Sequence, residues 1–146
     1  MAKTQAQREI ELITPLGADV LLFRQMNAFE ELGRLFSYNL EMLSEDSSIQ
    51  AEDLLGQNVA IRVNLSGGGE RYFNGHVTRF AHTGHFEHVS TYKATVRPWV
   101  WFLTRTTDCR IFQDRAVPDI IKEVLRENGY TDFQDRLSRS YRTWAY

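Results

Sequence analysis

Four histidines are the clearest candidates for metal chemistry: His76, His82, His85 and His88. The last three follow the spacing His-x-x-His-x-x-His, and imidazole is the commonest metal ligand in proteins. In an extended chain, however, His82 and His85 point to opposite faces, and Thr83-Gly84 indicates a turn between strands. We therefore favour polar strand and loop positions for these side chains and predict no metal ion.

Cys109 is the single cysteine, so it has no partner for an internal disulfide or for a Cys-x-x-Cys zinc site. The adjacent Arg110 is the kind of positive neighbour that favours a nucleophilic thiolate. No motif supplies a base beside it, and a small buried side chain explains the residue equally well. A reducing compartment during folding is the simplest interpretation.

The run Gly67-Gly68-Gly69 has the composition of a phosphate-binding loop. The Lys-Ser/Thr pair that such a loop requires is replaced by Glu70-Arg71, and strand-like sequence follows instead of a helix. Because glycine accepts a positive φ at little cost, a β-hairpin explains the run without a nucleotide.

Common enzyme motifs are absent from the sequence. Neither the Gly-x-Ser-x-Gly turn of hydrolases nor the His-Glu-x-x-His pattern of metallopeptidases occurs. Glu52 and Asp53 are adjacent carboxylates in a polar segment, and such groups stay solvated unless a cleft encloses them. We predict that the chain is not an enzyme and has no catalytic, cofactor-binding or metal-binding residues.

The aromatic segment 99–102 could in principle stack on single-stranded nucleic acid or sugar. Positive charge beside it is confined to Arg97 and Arg105, and the net charge of the chain is −2. Since phosphate binding needs concentrated positive charge, we predict no nucleic-acid partner and assign the segment to a core or a subunit interface.

The elements that position these residues are mostly strands. Apolar and polar residues alternate in 36–42 and in 59–65, which predicts two strands with one apolar face each. Between them, the polar segment 44–53 predicts a surface connection with one short helical turn. A further strand, 72–80, follows the glycine hairpin.

Residues 87–106 are rich in Val, Thr and aromatic side chains and predict another strand. Pro98 must lie at a bend, bulge or unpaired edge, because it has no N–H for a ladder. The residues after it, 99–104, are apolar on both sides, which predicts a strand buried on two faces.

The period changes to that of a helix at 117–128. Pro118 suits the first turn, Asp119 complements the helix dipole there, and Gly129 suits the stop. The last residues, 142–146, resemble the opening of a strand that has barely begun, from which we expect the chain to be a fragment.

The chain has 146 residues, of which 42% are apolar, enough for one compact domain or for a small domain and part of another. We predict an α+β, mainly β fold in which six or more antiparallel strands form a barrel over 1–106. The helix then begins a second, incomplete α/β subdomain over 107–146. A polar N-terminus and the lack of about 18 consecutive apolar residues predict synthesis in the cytoplasm, no signal peptide and no membrane-spanning segment.

A family resemblance is carried mainly by residues 97–113, RPWVWFLTRTTDCRIFQ, followed by VPDII at 117–121. Four earlier pieces agree in order: PLGADVL at 15–21, LGRLFSY at 32–38, LLGQ at 54–57 and FNGHV at 73–77. From about Ile10 to Tyr146, the chain resembles the N-terminal region of VgrG proteins, the spike proteins of bacterial type VI secretion systems.

The resemblance implies a structural role. Family members resemble the baseplate hub of contractile phage tails, in which tube-like β-barrel domains of three subunits form a ring with near-sixfold symmetry. A homotrimer is therefore implied that docks on the hexameric Hcp tube, contacts baseplate proteins, and carries a C-terminal needle with a tip protein and effectors. It would lie in the bacterial cytoplasm before firing and then be secreted or injected.

A small β-barrel that binds carbohydrate, an oligonucleotide or an effector protein is the alternative hypothesis. A concave pocket lined by charged and aromatic residues would favour that binding module. A structural component instead predicts exposed apolar residues or unpaired strand edges, because monomers rarely leave such surfaces open.

Overall fold

The computed structural model describes residues 4–146 and forms two compact units, the first ending at Trp101 and the second running Phe102–Tyr146. The first unit is one antiparallel sheet of six strands in the order β1-β4-β5-β6-β3-β2. The strands are β1 Ile10–Ile13, β2 Leu22–Phe29, β3 Ser37–Ser44, β4 Asn58–Asn64, β5 Glu70–Phe86 and β6 Val89–Arg97.

The sheet curls around an apolar core, which we call the interior of the barrel. Alternation decides which side chains face it: in β3, Tyr38, Leu40 and Met42 are buried, whereas Asn39 and Glu41 lie on the outer face. Neighbouring strands and loops complete the core with Leu12, Leu21, Ile49, Leu54, Val59, Ile61, Val77, Tyr92, Ala94 and Val96. The predicted α+β, mainly β class is confirmed.

The predicted glycine hairpin is confirmed between β4 and β5. Gly68 N–H donates to the Leu65 carbonyl (2.9 Å), and Leu65 N–H donates to the Gly69 carbonyl (3.0 Å). Gly68 and Gly69 have φ values of 86° and 92°, which side chains rarely adopt, so the turn requires glycine. The surface connection after β3 is also confirmed, with one 3₁₀ turn at Ala51–Asp53.

The predicted turn at Thr83-Gly84 is wrong. β5 continues to Phe86, and the register with β6 shifts between His82 and Gly84, so Thr83 is the extra residue of a β-bulge. The turn lies instead at residues 87–88, between the paired residues Phe86 and Val89. A bulge and a turn both use small and polar residues, which is why the sequence pattern did not separate them.

The predicted strand at 99–104 is also wrong. Residues Trp99–Arg105 form a 3₁₀ helix without a fully buried residue. Pro98 ends the β6 ladder because it has no N–H, and its carbonyl accepts the first turn's hydrogen bond from Trp101 N–H at 2.9 Å. Residues 99–103 are all half-buried, so the run of large apolar side chains reflects partial burial around a tight helix.

The predicted helix is confirmed in the second unit as α1, Val117–Glu127, with Pro118 in its first turn. It ends through Gly129, whose φ is 83°, and Tyr130 N–H donates to the Leu125 carbonyl at 2.9 Å. Two short strands flank it, β7 Arg115–Ala116 and β8 Thr143–Trp144, and they pair antiparallel. The predicted strand opening within 142–146 is thereby confirmed.

Candidate assembly interface

The seam between the two outermost strands of the barrel is bridged by the side chain of Gln5. This side chain is only 1% exposed and bonds to the backbone of both strands' ends. Its amide NH₂ donates to the carbonyls of Leu12 and Leu21 (3.2 Å each), and its carbonyl accepts from the N–H groups of Leu12 (3.0 Å) and Phe23 (2.9 Å). The Gln5 side-chain amide thus takes the place of direct backbone hydrogen bonds between β1 and β2.

Gln5 is itself held in place. Its backbone N–H donates to the Asp19 carboxylate at 2.8 Å, and this hydrogen bond is the main reason why the pKa of Asp19 lies below its ordinary value. The backbone carbonyl of Gln5 accepts a hydrogen bond from Arg8 N–H at 2.9 Å. A turn before β1 is therefore fixed across the seam by bonds to both sides.

Past the Gln5 bridge, the edge of β2 is open. Residues 25–29 pair with β3 on one side, with Arg24 as the extra residue of a bulge, and within the described part of the chain no strand pairs with the other side of 24–29. Most of these side chains are exposed, and Phe29 is a large apolar one among them. β1 has only four residues, Ile10–Ile13, and is paired with β4 along all of them. The seam therefore closes at one point and leaves a strand edge free.

A second open edge lies on β5. Its first residues pair with β4, and this contact ends where Val77 exchanges backbone hydrogen bonds with Gly56 (2.8 Å) and Gln57 (2.9 Å). From there to Phe86 the strand pairs only with β6, so residues 79–86 have no described partner on the other side. Such edges pair readily with another chain.

The two open edges belong to one four-stranded part of the sheet, β2-β3-β6-β5, and border it on opposite sides. Each step across it is antiparallel, and three such steps make β2 and β5 run in opposite directions. If identical or similar sheets are placed side by side in the same orientation, β2 of one then meets β5 of the next in antiparallel pairing.

The outer face of this four-stranded part is polar. Its side chains outline a shallow cavity of about 290 Å³ that contains Asn27, Asn39, Glu41, Arg79 and Lys93. Lys93 Nζ lies 2.8 Å from Glu41, and this interaction lowers the pKa of the Glu41 carboxyl. No aromatic side chain is among the described residues that line the cavity, so it lacks the stacking surface that a sugar or base site uses.

Apolar side chains fill the barrel interior in the part of the chain that the structure describes. Tyr92 and Phe80 stack with ring centroids 5.3 Å apart, and Tyr38 meets Phe73 edge to face at 5.6 Å. The alternative of a binding barrel therefore gains no support from the interior.

The histidines do not form a metal site in the part of the chain that the structure describes, where no three His, Cys, Asp or Glu side chains converge. The bulge at Thr83 places His82 opposite Tyr92 and His85 opposite Ser90. Since these partners are two residues apart on β6, the two histidines share a face, and our expectation of opposite faces is wrong. Burial lowers the pKa of His76.

The other candidates for chemistry belong to different units of the chain. Cys109 is exposed in the second unit, and the adjacent Arg110 is paired with Asp108 and Glu127. Glu52 and Asp53 are exposed in the 3₁₀ turn, where Asp53 accepts a hydrogen bond from Gln50 N–H at 3.0 Å. Among residues 4–146, no helix is long and apolar enough to cross a membrane.

Comparison with known proteins places these features in a family. The model of the phage tail baseplate hub family (GPD) matches residues 29–146. The chain therefore belongs to the phage tail baseplate hub family.

Within this family, similar proteins are spike proteins of type VI secretion systems. The chain is 47% identical over 142 residues to the spike protein VgrG1a of Pseudomonas aeruginosa, which covers 97% of this chain and 22% of that protein. It is 46% identical over all 146 residues to VgrG1c of the same organism, covering 20% of that protein. The chain thus spans about a fifth of the length of these relatives.

A solved structure agrees. The Escherichia coli c3393 protein, described as a type VI secretion component similar to the bacteriophage T4 tail proteins gp27 and gp5, superposes with a TM-score of 0.68 at 25% identity. The match covers 86% of this chain and 37% of that protein. The resemblance to VgrG proteins and the predicted hub-type barrel are confirmed.

Sequence reasoning missed the residues that shape the two open edges and the seam. Neither β1 nor β2 was predicted, because β1 is very short and β2 buries little beyond Leu22. Gln5 carries no motif, since its role depends on strands that meet only in the folded chain. The open edge of β5 follows from its length: its 17 residues extend beyond the part that pairs with β4.

Proposed function

We propose that this chain is a structural hub segment of a type VI secretion spike, in which the barrel forms part of the wall of a trimeric ring. The ring docks on the hexameric Hcp tube and carries a needle formed by other parts of the spike. The observation that supports this proposal best is the pair of open strand edges, 24–29 and 79–86, at the two borders of one sheet.

A ring needs an interface that repeats head to tail. Rotation about an axis parallel to the strands preserves strand direction, so each β2 edge meets the oppositely directed β5-type edge of the next barrel. Main-chain hydrogen bonds then continue the sheet around the ring, and the polar outer face becomes one continuous wall. The neighbouring barrel is a second hub domain or another subunit, as near-sixfold symmetry in a trimer requires.

The proposed role is mechanical, and we infer no enzymatic activity. Stiff, hydrogen-bonded walls transmit force from tube to needle because a continuous sheet deforms little along its strands. In this proposal the spike lies in the cytoplasm before firing and leaves through the secretion machine. Its partners are baseplate proteins, a tip protein and effectors.

The experiment is a measurement of mass in solution. Residues 1–146 and a graft, in which they replace the matching segment of VgrG1c, are compared by light scattering with and without purified Hcp. We expect the graft to be a trimer that binds Hcp hexamers. A graft that folds but remains monomeric and ignores Hcp would contradict the proposal and return attention to a β-barrel binding module.

A further inference from the structure

One end of the barrel is formed by the turn of the β5–β6 hairpin. Phe86 lies at this turn with 77% of its side chain exposed. His85 of β5, Ser90 of β6 and Ser44 of β3 lie at the same level of the sheet, and β3 ends there. Phe86 pairs with Val89 one residue further toward the turn. The turn therefore projects past the supporting strand and presents an aromatic side chain at its tip.

The residue after this phenylalanine is in a costly conformation. Glu87 has a φ of 54°, a region that side chains other than glycine, asparagine and aspartate rarely adopt. Two-residue hairpin turns normally place glycine at such a position. A residue other than glycine in this strained position is a reason to look for a function of its side chain.

The base of the turn is rigid. His85 Nδ1 lies 2.9 Å from the Ser90 hydroxyl, and the Thr83 hydroxyl donates to the Thr91 carbonyl at 3.1 Å. A tip held by bonds between both arms loses little conformational freedom when it binds a partner.

The connection after β3 and the hairpin itself carry acidic but no basic side chains. Residues 44–53 and 80–92 contain no Lys or Arg, and Arg8 acts on Asp19 in the loop next to them. Glu45 and Asp46 are exposed beside the end of β3, and hydrogen bonds from Ser48 keep the pKa of Asp46 below its ordinary value. The hydroxyl of Tyr92 donates to the Asp46 carbonyl at 2.9 Å and ties this acidic connection to the hairpin sheet. We call Glu45, Asp46 and residues 86–88 the hairpin end.

We propose that the hairpin end is the face of the barrel that docks on the tube, with Phe86 inserted into an apolar pocket whose rim carries Lys and Arg. This inference rests on the proposed function and adds which end of the barrel binds and by what chemistry. A convex aromatic tip requires a concave apolar partner, and the acidic surroundings require a basic rim.

The opposite end of the barrel lacks this combination and supplies a matched control. Leu32 is fully exposed there, in a tight turn in which Arg34 lies 3.4 Å from Glu31. Nearby, Arg71 pairs with Glu30 at 3.1 Å. Because the charges at this end are mixed and already paired, a basic partner gains little from them.

The test measures Hcp binding by the graft and by four of its variants, after light scattering and circular dichroism have shown that each is trimeric and folded. Phe86→Ser is expected to weaken binding about thirtyfold, the usual effect of removing a central aromatic anchor. Glu87→Lys is expected to weaken it about tenfold, and rising salt should weaken the unmodified complex. Leu32→Ser should change the affinity by less than about twofold.

Glu87→Gly separates function from folding. Glycine relieves the positive φ, so this variant should unfold at a higher temperature than the parent while binding Hcp more weakly. A purely structural role of the turn predicts higher stability with unchanged binding, and that result would overturn the inference.

The remaining outcomes are also decisive. If Leu32→Ser weakens binding and Phe86→Ser does not, the docking face is at the other end, and the inference is wrong while the proposed hub function stands. Equal binding by all variants would show that neither side chain contributes to docking, so the inference would again be wrong while the proposed hub function stands. If the unmodified graft forms a trimer that does not bind Hcp, the docking role in the proposed function fails, and the inference falls with it.

Discussion

The Gln5 bridge leads to a quantitative prediction for the variant Gln5→Met. Methionine has nearly the same shape but cannot bond to the backbone groups of Leu12, Leu21 and Phe23, which lose four hydrogen bonds in all. At about 1 kcal/mol for each bond, the free energy of unfolding should fall by about 4 kcal/mol. For a domain of this size, that corresponds to a fall of roughly 20 °C in Tm.

The assay is guanidinium unfolding followed by near-ultraviolet circular dichroism, with Gln7→Met as the control because Gln7 is exposed. Gln5→Glu distinguishes bonding from packing, since its carboxylate can accept from the two N–H groups but faces two carbonyls without a proton to donate. We expect it to destabilise the barrel at least as much as Gln5→Met. A Gln5→Met variant within about 1 kcal/mol of the control would refute the bridging role.

Two further predictions concern the barrel core. Gly75→Ala should lower the free energy of unfolding by about 1–3 kcal/mol, because the added Cβ would lie 2.8 Å from both the Arg97 carbonyl oxygen and a Val96 methyl carbon. Gly84→Ala on the same strand is the control and should be nearly neutral, because nothing lies within 4 Å of its added Cβ. Equal effects of the two variants in urea unfolding would contradict this account. Burial, aided by a 2.5 Å hydrogen bond to Glu30, raises the pKa of Tyr38 above 10.0, so the unfolded chain loses this proton first and stability should fall as pH rises above about 10. Tyr38→Phe should cost about 1.5 kcal/mol at neutral pH and flatten that decline, and an unchanged slope would show that other groups cause it.

Much of the barrel could be predicted because burial leaves a regular trace in the sequence. β3 alternates between core and solvent along its whole length, so its two-residue period is unbroken. The helix was equally clear, since Pro118 and Gly129 mark its limits. Where a strand is an edge, as in β2, the core dictates few of its residues and the pattern fades.

The errors had local causes. At Thr83 a single extra residue reversed the expected facing of the following histidine, and alternation cannot reveal such a bulge. After Pro98, the loss of one N–H ended the sheet, although the side chains that follow still favour strands. The interface was beyond reach because an open edge is defined by a missing neighbour, and Gln5 bridges strands that are separated along the chain.

The most direct test of the ring-wall account is amide hydrogen exchange along the two open edges. Segments 24–29 and 79–86 are compared between monomeric residues 1–146 and the trimeric VgrG1c graft, with the glycine hairpin 65–69 as an internal control. The account predicts slow exchange of both segments only in the trimer, because edge-to-edge pairing gives their free N–H groups partners. A verified trimer in which both edges exchange as fast as in the monomer would contradict it.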